Sequence, residues 1–164
     1  MRKLALTLVA GCLLSAAQSR ADDAANREMA RELGSVLAWR LGPETVEEAC
    51  RSLDPGGVEA RSKALKAWQE KNTKLIQDVD ARVAEIVPLA YPSSPHVDAV
   101  QTVYAQVRKM LLEPLFAERT PEESSAICRQ EADPANPRWK GNGSPHVQQA
   151  LAALYDWKMQ RTAK

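Results

Sequence analysis

The chain has 164 residues, 22 basic against 21 acidic side chains, and three cysteines. A balance this even, with no Lys or Arg cluster, sets nucleic-acid binding aside, because that binding rests on grouped cations that release counterions from phosphates. The length fits one domain. Past the N-terminal stretch no apolar run approaches the roughly 20 residues that span a bilayer, so no integral membrane segment is expected.

Residues 1–21 have the layout of a secretory signal peptide: Arg2 and Lys3, an apolar run from Leu4 to Leu14, then small side chains. Ser19-Arg20-Ala21 offers a cleavage site after Ala21, and Ser15-Ala16-Ala17 an alternative after Ala17. Val9-Ala10-Gly11-Cys12 resembles a lipobox, which would make Cys12 a lipidated first residue, but the apolar run before it is very short. Cleavage after Ala21 leaves residues 22–164 as a single helical domain with 19 basic and 21 acidic side chains, in the periplasm or secreted. Cys50 and Cys128 are then the two remaining cysteines in an oxidising compartment, so one disulfide is expected. In the chain-entropy picture, closing that interval contributes up to roughly 4.5 kcal/mol.

Apolar residues recur at intervals of three and four almost throughout, and no segment alternates like a strand, so the expected fold is all-α. The first helix is expected over 24–40, with Met29, Leu33, Val36 and Leu37 on one face, and Gly42-Pro43 ends it. A short helix follows, with Thr45 and Glu48 at capping-box spacing and Cys50 in its last turn. Asp54-Pro55-Gly56-Gly57 is a break. The longest helix then runs from Val58 to about Val87 with a seam of Leu65, Trp68, Asn72, Leu75, Val79, Val83 and Ile86. Pro88 and Pro92 terminate it.

Ser94-Pro95-His96-Val97 opens the next helix, whose stripe is Val97, Val100, Tyr104, Val107 and Leu111, and Pro114 kinks or ends that one. Thr120-Pro121-Glu122-Glu123 supplies a cap, a proline at the first helical position and an acid, so a short helix carrying Ile127 and Cys128 is expected. The turn-rich stretch 132–143 precedes Ser144-Pro145-His146-Val147 and a final helix with Val147, Ala150, Leu151, Leu154 and Trp157 inward. Four substantial helices and two additional short ones, joined by one disulfide, make a four-helix-bundle-like single domain.

The repeated Ser-Pro-His-Val phrase is explained by helix starts: serine caps, proline costs nothing at the first position, and valine begins the buried stripe. His96 and His146 are the only histidines. They would form a metal site only if the two helix ends met, and neither has a second ligand at helical spacing; no metal is expected. Asn72 falls where an apolar residue belongs, and a buried amide must find a partner, such as a backbone group or a tryptophan N–H.

Trp139, flanked by Arg138 and Lys140 on the turn-rich loop, is the expected partner-binding anchor, since an aromatic between cations on a loop is a common interface element. Trp68, Trp39 and Trp157 are expected in the core. No catalytic residues are expected: HExxH, GxSxG and a phosphate-cradling glycine loop are all missing, and the acid pairs Glu47-Glu48 and Glu122-Glu123 read as first-turn charges. CxxCH is absent too, and no cofactor is expected. What remains is an exported, non-catalytic helical protein acting on another protein as an inhibitor, immunity-type or envelope accessory factor. The alternative is a small-molecule or metal carrier using the bundle interior or the two histidines.

Overall fold

The helical spacing of the apolar residues produces helices in every described element. The computed structural model describes residues 5–91, 96–133, 136 and 145–163, with side chains from 23 in the first helix and from 98 in the third. In chain order these are α1 (Ala5–Leu53), a 3-10 turn (Pro55–Gly57), α2 (Val58–Ala90), α3 (His96–Phe116), α4 (Pro121–Glu131) and α5 (Pro145–Thr162). Four long helices share one core, and α1 touches α2, α3, α4 and α5.

The core follows the stripes. Met29, Leu33, Val36 and Leu37 of α1 meet Val79, Val83 and Ile86 of α2 and Val147, Ala150, Leu154 and Trp157 of α5. On α3 the buried line is Ala99, Val103 and Val107, with Val100, Tyr104 and Leu111 packed beside it. The expected stripe on that helix was therefore one position off centre; its first member, Val97, has a side chain outside the described residues. Trp68 is buried and lies 5.1 Å from the half-buried Trp39, ring centroid to centroid. Asn72 is buried in the α2 seam and donates from Nδ2 to the carbonyl of Trp68 at 2.8 Å, the backbone partner a buried amide requires.

The chain does not break at Gly42-Pro43. Helix α1 runs through both to Leu53, so the short helix expected at Thr45–Cys50 is the end of α1 and its capping box does not form. Gly42 has no Cβ to meet the proline ring, which removes the clash that usually turns the preceding residue out of the helix. Leu41, Gly42, Pro43 and Val46 are all buried. That burial outweighs the one hydrogen bond Pro43 cannot donate. Glu47 is consequently no first-turn charge: it is buried mid-helix, where Arg51 Nε and Ser62 Oγ donate to its carboxylate at 3.0 and 3.1 Å. Pro88 and Pro114 likewise sit inside their helices, each of which ends two residues later. At α4 the expected cap is complete: Thr120 Oγ1 accepts from Glu123 N–H, and the Glu123 carboxylate accepts from Thr120 N–H.

Cys50, in the last turn of α1, is bonded to Cys128 in the last turn of α4. Beside this bond lies a fully buried guanidinium. Arg61, in the first turns of α2, donates to the Cys50 carbonyl at 3.0 Å, the Cys128 carbonyl at 3.2 Å, the Asp54 carbonyl at 2.7 Å and the Asp54 carboxylate at 2.6 Å. The C-terminal ends of two helices, both negative by their macrodipoles, thus converge with one carboxylate on one cation. That convergence offsets the desolvation of a buried charge.

Gly57 makes room for this arrangement. A Cβ there would fall on the Asp54 carboxylate and the Arg61 guanidinium, which are pinned by four bonds and cannot swing away. Gly57→Ala is therefore expected to cost about 1–3 kcal/mol, as overpacking of a filled site does. Urea denaturation of the variant checks it, and wild-type stability would show that the cluster yields.

Two polar ties fix the helices laterally. Arg40 of α1 bonds Asp80 of α2 at 3.1 Å and Glu44 at 3.0 Å, and the Tyr104 hydroxyl of α3 donates to Asp80 at 3.4 Å. Burial alone would lower the Arg40 pKa, but the carboxylates of Asp80 and Glu44 prevail and raise it; burial, then the charge of Asp80, raises that of Tyr104. Between α2 and α5, Lys158 Nζ lies 2.9 Å from Glu85, which Arg82 also pairs at 2.8 Å. The hydrogen bond from Lys158, then the nearby cations, holds the Glu85 carboxyl below the usual carboxylate range.

A carboxylate depressed on folding contributes stability above its unfolded pKa and loses it as pH falls through the folded value. Glu85→Gln is expected to be less stable than wild type at about pH 7, and the two should converge by about pH 3. Thermal melts at both values check it; a gap of equal size at both ends would refute the ion-pair account.

Candidate functional site

The broadest apolar hollow on the described surface lies between α1 and α3. It is a groove of about 440 Å³, floored by Leu33 and Leu37 of α1 and Val103 and Val107 of α3. Its α1 wall is the row Ala30, Gly34 and Ala38, spaced four apart so that the three share one helix face. An added Cβ at Gly34 would meet nothing within 4 Å, so the wall is open to an approaching backbone. Met110, 69% exposed, and Tyr91, 48% exposed, stand on the opposite side.

Arg31 is the one ionic side chain among the lining residues; its side chain is 72% exposed, and Nη2 lies 2.7 Å from Glu32. Single exposed apolar residues are ordinary on a protein surface, but an apolar trough flanked by a methionine and a tyrosine is the composition of a binding site. A smaller apolar hollow of about 180 Å³ adjoins it beside Trp39 and Trp68, and the hollows on the other helix pairs are more polar. One between α2 and α5, of about 530 Å³, is lined by Asp78, Arg82, Glu85 and Asp156 among others, and one between α1 and α5, of about 220 Å³, by Glu28, Glu32 and Asp156.

The loop residues expected to anchor a partner, Arg138, Trp139 and Lys140, lie outside the described residues, as does the side chain of His96. His146 is exposed in the first turn of α5, where Nε2 is 2.8 Å from Ser35 Oγ on α1. That distance suits a nucleophile and its base, but among the described residues the rest of such a centre is not assembled. Ser35 sits in the middle of a helix with its own N–H committed to the backbone, and no described side chain bonds the other imidazole nitrogen. The contact instead ties the start of α5 to α1. Among the described residues no three His, Cys, Asp or Glu side chains gather as a metal site, and no helix is long and apolar enough to cross a membrane.

Cys50 and Cys128 are both fully buried and covalently paired. They hold the end of α4 against the end of α1.

Sequence reading missed the groove because its walls come from helices that are not neighbours in the chain. The row of small residues at 30, 34 and 38 was the available signal, since residues of that size on an amphipathic helix leave a shallow face. Against known proteins, the chain matches no family model, no curated protein and no solved structure.

Proposed function

We propose that this is an exported, non-catalytic helical protein of a bacterial envelope, made with residues 1–21 as a signal peptide, that acts by binding another protein. The α1/α3 groove carries this reading. A trough with a flat wall of Ala30, Gly34 and Ala38 accepts the close approach of a helix, and the apolar floor matches the apolar stripe of an amphipathic one. The partner segment is then a helix with anchors at three- and four-residue spacing and an acidic residue opposite Arg31. Inhibitor, immunity-type and accessory roles all use such a surface. A carrier of small molecules needs several polar groups converging on its ligand, and the groove offers Arg31 with little beside it.

Gly34→Leu tests the reading. A Cβ at Gly34 meets nothing within 4 Å and leucine favours the helix over glycine by about 1 kcal/mol, so the fold is expected to be kept while the added side chain blocks the surface. Partners cross-linked to wild type in the native envelope are expected to be lost from Gly34→Leu and kept by Trp139→Ala. Loss with Trp139→Ala alone moves the interface to the loop. Equal recovery by all three proteins rules out both surfaces.

A further inference from the structure

The disulfide and the buried guanidinium beside it have a role that the groove does not explain. We infer that α4 is a redox-releasable segment: reduction of Cys50–Cys128 undocks it and uncovers a second surface, while the main helical core stays folded.

The packing divides in this way. Every residue of the main core comes from α1, α2, α3 or α5, and none from α4. Helix α4 meets a separate satellite cluster, in which Cys128 joins Val46 and Cys50 beside Leu53, Leu115 and Phe116. At 11 residues α4 is below the length at which an isolated helix holds itself in water, about 12–15 residues. Its place therefore depends on what ties it down.

Those ties are weak without the covalent bond. With α4 in place Arg61 is fully out of water, and full burial of an ion costs several kcal/mol. In return α4 offers Arg61 one acceptor, the Cys128 carbonyl; the other three acceptors are on Cys50 and Asp54 and remain when α4 leaves. Docking also buries the hydroxyl of Ser124. Against these costs stand only the contacts of the small satellite cluster, and the disulfide turns their hold into a fixed arrangement.

In the release step, a thiolate of an external dithiol attacks one cysteine sulfur and displaces the other as thiolate. The second thiol of the reagent then closes a cyclic disulfide and frees the first cysteine, so two protein thiols are gained for one dithiol oxidised. Both sulfurs are fully buried, so attack follows a local opening of α4. The opened form displays Val46, Leu53, Leu115 and Phe116 near the Arg61–Asp54 ion pair, an apolar patch that the closed form covers.

Amide hydrogen exchange on the full chain tests this. Oxidised wild type is compared with wild type held in dithiothreitol under native conditions and with the double variant Cys50→Ser/Cys128→Ser. Amides of α4 are expected to lose roughly a hundredfold of protection, while those of the buried stretches of α1 and α5 change by less than about threefold. Protection of α4 that survives reduction overturns the inference, because the guanidinium and the satellite cluster then suffice. Joint loss across α1, α4 and α5 overturns it as well, as does a disulfide that yields to the dithiol only when the main core unfolds.

Discussion

Replacing Arg61 with alanine is expected to destabilise the oxidised protein by about 3 kcal/mol, an effect out of proportion to its position near the start of a helix. The variant leaves the Asp54 carboxylate and the Cys50 and Cys128 carbonyls facing the space that the guanidinium occupied. Breaking a buried pair from one side typically costs about 3–5 kcal/mol, and the lower end applies because Asp54 keeps some contact with water. Arg61→Lys keeps the charge but should recover only part of the loss. One ammonium cannot present the two separated donor groups that reach acceptors on three segments. Urea denaturation of the three proteins gives the order wild type, lysine, alanine; equal midpoints would mean that the cluster contributes little.

Removing the aromatic pair has an expected cost of similar or greater size. Trp68→Ala empties a site that is 2% exposed and strips the partner from Trp39, so a loss of about 3–5 kcal/mol follows from the cavity and the missing contacts. The two rings are 5.1 Å apart and inclined at 53°, close enough to share intensity in the near-ultraviolet circular dichroism spectrum. Trp39→Phe, by contrast, should keep most of the stability and lose that spectral feature. A Trp68→Ala protein that melts with wild type would place Trp68 outside the cooperative core.

The period of the apolar residues was enough to read the all-α fold and the runs of α2, α3 and α5, because a stripe repeating at three and four has only one regular structure that buries it. The α5 stripe, the α2 seam and the Thr120 cap were legible for the same reason: each depends on residues within one helix. Boundaries at prolines were not. Gly42-Pro43 signals an end locally, and only the neighbours packed around Leu41 and Val46 keep the helix going.

Arg61 left a fainter trace. Extending the α2 seam back four residues from Leu65 lands on it, and an arginine there is buried in a first turn, where the macrodipole favours acids. Two breaches of local preference at one residue mark a tertiary role, but they do not say which helix ends it serves. The pairing of α1 with α3, and so the groove, depends on how the bundle closes and has no local signature.

That closure has a consequence in time. Helix α1 comes first in the chain, and while Arg40 finds Asp80 within 40 residues, Ser35 waits for His146, and Asn26 for Trp157 and Arg161, across 111 to 135 residues. Contacts at such separations form late and slowly. Helix α1 can therefore settle against α2 and α3 early, while the part of its apolar side that meets α5 stays uncovered until Val147, Ala150 and Leu154 arrive, and a product truncated ahead of Pro145 would keep that strip bare.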